Sequence, residues 1–388
     1  MNIGIDKIGF YVPPFVLDME DLAVARQVEP AKYTIGIGQS KMAVAPITQD
    51  IVSMAANAAS MILTQEDKEA IDMVLFGTET GIDQSKSAAV YMQSLLGLSN
   101  RIRCVELKHA CYGATAALQL AKAHVALNPE AKVLVIASDV AKYGLQSGGE
   151  PTQGAGAVAI LVAKDPHVLT IDQETSLFSD DVMDFWRPND CPYPCVDGKF
   201  SNEQYMRFFA EVWQDYRDRF NSQLSDFAAV CFHLPYSKMG LKAFKPFLAE
   251  EEEELSARLL ERYQISTQYN RQIGNVYTGS LFVGFVSLLE NCQELTANDK
   301  IGFFSYGSGA VGEFFTGHLV EDYEKYLYTD NHQALLANRK PLSVKEYEQI
   351  FMDMVDESTS DQDFSDRQDA SLVTLRGIKD QKRIYQVK

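Results

Sequence analysis

The sequence contains no apolar run near the ~20 residues that a membrane-spanning helix needs. Stretches such as 133–137 and 281–289 are far too short, so no membrane span is expected. Positive charge is also scarce. Thirty-five Lys plus Arg stand against 53 Asp plus Glu, a net charge of −18. That balance repels nucleic-acid phosphates and anionic lipid headgroups, and neither is expected as a partner. Cysteine is sparse, six in 388 residues, and a chain this long buries enough core to need no disulfide staples. Met1-Asn-Ile-Gly-Ile-Asp6 lacks the basic and apolar regions of an export signal. The mature chain is therefore expected to begin here and to stay in the cytoplasm with free thiols. Cys191-Pro-Tyr-Pro-Cys195 has no second Cys/His pair at matching spacing, so no metal site is expected. Low-complexity linkers are missing as well.

What is present is an ordinary globular composition, 46% hydrophobic and 23% charged. The length suits two or three domains, or one large fold of two similar halves, and an internal repeat decides for the second. Lys132–Asp139 reads as a buried strand followed by a Gly-led turn and a second strand, Gly154–Ala163. Lys300–Tyr306 and Gly307–Thr316 repeat that order, and both second strands open with Gly-x-Gly-Ala-Val. Because that motif enters a strand and lacks a third Gly and a following helix, it is not a dinucleotide fingerprint. Each strand pair follows a small-residue helix, Ala110–Val125 and Tyr277–Glu290, apolar nearly all round and therefore expected to be buried. Two α/β halves result, residues 1–166 and 167–388, in a layered sheet-and-helix arrangement. Between Asp353 and Asp369 lie seven acidic residues and one Arg, which reads as a mobile surface loop before two closing strands.

Cys111 follows the short strand Arg103–Leu107 and stands at the first turn of the first repeat helix, where amides and the macrodipole favour a thiolate. Taken by itself, the position also suits a small buried hydrophobe, the role assigned to the other five cysteines. A nucleophilic Cys needs a partner that handles protons, and His233 lies where the strand of Ala228–Phe232 ends. His109, His124, His167, His318 and His332 read as structural histidines in flanking, turn or surface positions. Glu79 ends the apolar strand Met73–Glu79. Such a carboxylate is either simply solvated or, if it faces the cysteine in a dry pocket, raised towards neutrality as a base.

Glu79 in Gly-Thr-Glu, Glu106–Thr115 around Cys111, Gly148–Ala157, Asp184-Phe-Trp-Arg-Pro188, Phe232-His233-Leu-Pro, Gly274–Ser280 and Ser305-Tyr-Gly-Ser308-Gly together resemble the hydroxymethylglutaryl-CoA synthases of the bacterial mevalonate pathway. The resemblance spans nearly the whole chain, and it lacks only the long extra segments of the larger animal enzymes. It implies a thiolase-like α-β-α-β-α fold of two halves. Glu79 and Cys111 would lie on the first half, with His233 and an acidic tail segment on the second. It implies that Cys111 takes the acetyl group of acetyl-CoA and that Glu79 then deprotonates the acetyl methyl. His233 would bind the ketone of acetoacetyl-CoA and protonate the new alkoxide, before water releases the product. Asn275 and Ser308 would meet the second acyl group, while Asp139, Tyr143, Thr152 and Asp184 would orient the acyl groups and the histidine. Pro235, Lys238 and Lys242 would contact coenzyme A, the lysines neutralising its phosphates from a helix that Ser237 caps. No metal and no tightly bound cofactor is implied, and thiolase-like proteins are usually homodimers joined through sheet edges. Two other readings fit parts of the pattern. A type III ketoacyl-ACP synthase also uses Cys, His and Asn but needs no carboxylate base, so Glu79 discriminates against it. A non-catalytic acyl-CoA-binding protein would be indifferent to alkylation of Cys111.

Overall fold

The computed structural model describes residues 1–189, 191–356 and 360–388. Nine strands form the main sheet: β1 (Ile3–Tyr11), β2 (Ile71–Gly77), β3 (Arg103–Leu107), β4 (Lys132–Ala141), β5 (Gly154–Lys164), β6 (Leu169–Ser179), β7 (Ala229–Phe232), β8 (Lys300–Gly307) and β9 (Val311–Leu319). Their spatial order is β7-β8-β9-β6-β1-β5-β4-β2-β3. The order runs as two copies outward from the middle, β1-β5-β4-β2 and β6-β9-β8-β7. In each copy the first three neighbours pair antiparallel and the last pair is parallel. Only two residue pairs, Gly4 with Thr170 and Ile5 with Leu169, join the copies into one sheet. The predicted repeat is thus a repeat of topology, with β3 added to the first copy alone.

Period-2 burial builds the layers. Along β4, Val133, Val135 and Ala137 point into a central core, and Leu134 and Ile136 into an outer one. The central core also receives helix α2 (Gly113–Leu127) and helix α5 (Ser280–Asn291), which lie between the two half-sheets. Helix α1 (Ile51–Ile62) covers the outer face of the first half. Helices α3 (Gly198–Phe220) and α4 (Met239–Leu248) cover that of the second. The layered α-β-α-β-α architecture follows.

Two expectations are corrected. Helix α5 is buried from Ser280 to Leu289, but α2 buries one face only, with Leu120 54% and Leu127 83% exposed. The polar residues Gln119, Lys122 and His124 of α2 are partly buried and spread round the helix, so they do not mark the face that stays bare. The acidic segment is not simply a loop. Gln362–Asp363 pairs with the strand Val373–Lys379, Phe364 is buried, and Asp369 accepts hydrogen bonds from Thr48 (2.6 Å) and Gln49 (2.8 Å). One aromatic anchor and one bonded carboxylate dock it, which average composition does not register. Residues 357–359 of that segment lie outside the described residues.

Candidate active site

The carboxyl ends of the parallel strands in both halves open on one region, the usual place for ligands in α/β sheets. Strand β2 ends at Gly77 and delivers Thr78 and Glu79. Asp139, near the end of β4 and fully buried, accepts bonds from the Thr78 hydroxyl (2.9 Å), the Glu79 N–H (2.8 Å) and the Thr80 N–H (3.1 Å). Its other oxygen takes the N–H (3.0 Å) and hydroxyl (2.5 Å) of Thr278. Asp139 thus ties the end of β2, with the backbone of Glu79, to the turn before α5.

Cys111 sits between β3 and α2 in a tight turn in which Tyr112 N–H bonds to the His109 carbonyl (2.9 Å). Ala110 takes a φ of +37° there. The turn is wedged between two strand ends. A Cβ on Gly77 would come within 2.5 Å of Ala114 N, and one on Gly307 within 2.6 Å of Tyr112 Cβ. Glycine is required at both for the backbone to pass this close. On the far side, the Tyr112 hydroxyl donates to Glu313 of β9 (2.7 Å), which also holds Gln119 of α2 (2.9 Å).

His233 follows β7 directly. Its N–H bonds to the Phe304 carbonyl of β8 (2.8 Å) and its carbonyl accepts from the Tyr205 hydroxyl (2.6 Å), so the main chain is held from both sides. The ring is free. Both of its nitrogens are buried and without a hydrogen-bond partner among the described residues. Asp184 grips the Gly-rich turn through Gly309 N–H (2.8 Å) and the Tyr306 hydroxyl (2.9 Å). Ser308 lies in that turn beside Tyr306. Asn275 is buried; its Oδ1 accepts from Tyr277 N–H (2.8 Å), and its Nδ2 lies 3.5 Å from the Tyr143 oxygen. Thr152 spends its hydroxyl on the Gly149 carbonyl (2.8 Å), shaping the turn that leads to Gln153, whose Oε1 accepts from the Tyr143 N–H (2.6 Å).

The residues expected to contact coenzyme A lie together just after His233. Pro235 and Lys238 are half-buried and Lys242 is exposed. Lys238 N–H bonds to the Ile37 carbonyl (3.1 Å), and Lys242 Nζ donates to the Tyr236 hydroxyl (2.8 Å). Ser237 does not cap α4 as expected. Its hydroxyl instead donates to Gln39 Oε1 (2.6 Å), and α4 starts one residue later, after Lys238.

Electrostatics separate the three central groups. Burial pushes the Glu79 carboxyl up to about 8; Arg187 pulls it back and Asp139 adds to the rise. Burial also raises the Cys111 thiol, with the carboxylates of Asp139, Glu79 and Asp184 acting in the same direction. That runs against the expected thiolate, because a dry pocket, with carboxyl groups rather than cations around it, outweighs one helix terminus. His233 is pushed down by burial to about 3, so its imidazole is neutral.

Sequence reasoning missed several participants. Arg187 sat unremarked inside a quoted motif, yet its Nε lies 3.5 Å from Glu79 Oε1. His109 is not the satisfied structural histidine its position suggests: its Nε2 is buried and unbonded among the described residues. His332 proves fully buried, accepting from Phe10 N–H (2.9 Å) and pairing with Glu290 (2.6 Å). All six cysteines are free. Among the described residues, no cluster of three or more His, Cys, Asp or Glu side chains is placed to hold a metal ion. Among them also, no helix is long and apolar enough to cross a membrane.

A thiol, a raised carboxyl and a neutral imidazole at the strand ends of a duplicated α/β fold define a condensing enzyme of the acyltransferase type, with thiolase-like architecture. The chain matches the family model for the hydroxymethylglutaryl-coenzyme A synthase N terminal over residues 1–167, and the C-terminal model over 169–257 and 252–376. It belongs to the hydroxymethylglutaryl-CoA synthase family. The hydroxymethylglutaryl-CoA synthase of Enterococcus faecalis is 56% identical over 356 residues, 92% of this chain and 93% of that one. A solved structure of an HMG-CoA synthase complexed with CoA matches with a TM-score of 0.97 at 48% identity, over 100% of both chains. One of MvaS in complex with 3-hydroxy-3-methylglutaryl coenzyme A matches at 0.89 and 34%, over 100% of this chain and 99% of that one. The ketoacyl-ACP synthase and non-catalytic readings are thereby set aside.

Proposed function

We propose that this chain condenses acetyl-CoA with acetoacetyl-CoA and water, giving 3-hydroxy-3-methylglutaryl-CoA and CoA, the step that feeds mevalonate and isoprenoid precursor synthesis. One observation carries the reading: a buried Glu79 carboxyl in the range of a base, its Oε2 unbonded among the described residues, in electrostatic contact with the Cys111 thiol.

Cys111 starts as a thiol, so its proton leaves as sulfur attacks the acetyl carbonyl, and the neutral His233 ring is the available acceptor. CoA departs and an acetyl-S-cysteine remains. Glu79 then takes a proton from the acetyl methyl, and the electron pair forms the new bond to the ketone carbon of acetoacetyl-CoA. His233 donates an N–H to that ketone oxygen and protonates the alkoxide as it forms. Water cleaves the thioester and returns Cys111. Asn275 Nδ2, Tyr143 and Ser308 line the second acyl group, Asp184 and Thr152 shape the turns that carry these contacts, and Pro235, Lys238 and Lys242 hold coenzyme A. The scheme uses CoA thioesters as substrates and calls on no metal or bound cofactor. We also infer a cytoplasmic homodimer joined along β3, whose outer edge is unpaired among the described residues and whose Val105 is 48% exposed.

Intact-protein mass spectrometry tests the scheme. An acetyl adduct should form from acetyl-CoA in wild type and in Glu79→Gln but not in Cys111→Ala. Acetoacetyl-CoA should discharge it only when Glu79 is intact. Absence of any adduct would remove Cys111 as nucleophile.

A further inference from the structure

Glu79 is held by a side chain from the opposite half of the molecule. Arg187, which follows the short strand Phe185–Trp186, places Nε 3.5 Å from Glu79 Oε1 and donates through Nη2 to the Glu79 carbonyl. One planar guanidinium thus grips both the side chain and the main chain of the residue, which a lysine ammonium cannot do. The strand carrying it is packed onto the pocket wall, Phe185 lying edge-on to Tyr143 (6.3 Å) and Tyr277 (6.0 Å). Glu79 Oε2 is buried and unbonded among the described residues, the oxygen left for a substrate proton. The other titratable groups that act on Glu79 are Asp139, Cys111, Tyr143 and Tyr277, none of them a cation. Lys142 and Arg383, with Asp50 and Asp353, line the same cavity of about 250 Å³ as Glu79 and Arg187. Among the described residues, Arg187 alone forms an ion pair with Glu79.

We propose that Arg187 is a positioning residue for the carbon-acid step, holding Glu79 with one oxygen aimed at the substrate and favouring the charged form of its carboxylate when substrate dries the pocket. This rests on Glu79 being the base. Substrate binding expels water, and further drying drives a carboxyl towards its neutral form; a fixed counter-charge opposes that drift.

The test is single-turnover discharge of preformed acetyl-enzyme by acetoacetyl-CoA, with CH3- and CD3-acetyl-CoA, in wild type, Arg187→Gln, Arg187→Lys and Glu79→Gln. In the discharge step the C–D bond breaks, its electron pair forms the C–C bond, and the deuteron passes to Glu79. Arg187→Gln should acetylate to the wild-type extent yet discharge about tenfold or more slowly at pH 7, each pKa unit being a factor of ten in available base. Its isotope effect should rise. The deficit should narrow towards pH 9, because loss of the cation moves the acidic limb of the profile upward. Arg187→Lys, keeping charge without the fork, should fall between. Wild-type discharge and pH profile in Arg187→Gln would overturn the proposal, as would equal losses of acetylation, discharge and melting temperature with an unchanged isotope effect. If Arg187→Gln does not fold, wild-type behaviour of Arg187→Lys overturns it. Normal discharge in Glu79→Gln would instead remove the base, and with it the reading on which the inference stands.

Discussion

The two halves share a strand order but not a chemistry, and the turns before their central helices show where they part. Ala110-Cys111-Tyr112-Gly113 leads into α2 and Tyr277-Thr278-Gly279-Ser280 into α5. Both begin with a residue in the left-handed region, φ +37° at Ala110 and +38° at Tyr277. In that register Thr278 occupies the place of Cys111. Where the first copy has the Cys111 thiol, the second thus has a hydroxyl bound to Asp139 of the first. The two halves share a scaffold and differ at one turn: on the proposed scheme the first is reactive and the second supports it. Three of the ties around Cys111 and Glu79 cross the repeat: Thr278 to Asp139, Glu313 to Tyr112 and Arg187 to Glu79.

The comparison is broken most severely by exchanging the roles of the equivalent positions. Cys111→Ala should lose about 10⁴-fold or more in kcat, the scale for removing a covalent nucleophile, with no acetyl adduct by mass spectrometry. Thr278→Val should keep the adduct and lose stability instead, about 1.5–3 kcal/mol for a hydrogen bond to a charged group, read by denaturant unfolding. An adduct lost in Thr278→Val would mean that the second turn takes part in the chemistry. His233→Ala should slow both acetylation and condensation, about 10²–10⁴-fold for a proton-transfer group. Glu79→Gln, on the first half, should slow condensation alone. Stopped-flow measurement of each step separates the two.

Much of this division was legible beforehand, and what was not has a common cause. The repeat, the strand ends and Cys111, Glu79 and His233 could be read because each stands in a local pattern: an apolar run, a Gly-led turn, a small-residue helix. Arg187 and Glu313 could not, because their partners lie more than a hundred residues away and a lone Arg or Glu carries no local sign of them. The thiolate expectation failed similarly. The helix terminus is visible in sequence, whereas the dry pocket and the carboxyl groups that override it come together only in the folded chain. The bare face of α2 escaped notice because its polar residues do not mark it.

The wedge around the nucleophile offers a milder disturbance. Gly77→Ala presses on the α2 side of the turn and Gly307→Ala on the Tyr112 side, the new Cβ meeting backbone at 2.5 and 2.7 Å. Each should cost about 1–3 kcal/mol, as overpacking does, with a lower melting temperature by calorimetry. Because both compress the same turn, their effects should not be additive. Additive losses would mean that the two halves hold the turn independently.

The smallest effects belong to the expected coenzyme A contacts. Lys238 is half-buried and bonded through its backbone to the helical turn Lys32–Ile37, whereas exposed Lys242 reaches over the Tyr236 ring, 5.0 Å from its centre, to that ring's hydroxyl. Neither touches the reacting atoms, so each contributes uniform binding, and its loss should raise KM for both CoA thioesters while leaving kcat unchanged. Charge on an exposed side chain is screened by salt within about 10 Å at 0.1 M. Lys242→Ala should therefore raise KM only a few-fold, and the difference from wild type should shrink with added salt. Lys238→Ala, losing packing along with its charge, should keep part of its deficit at high salt. Equal and fully salt-sensitive losses at the two positions would show that they act as one diffuse basic surface rather than through an ordered contact at Lys238.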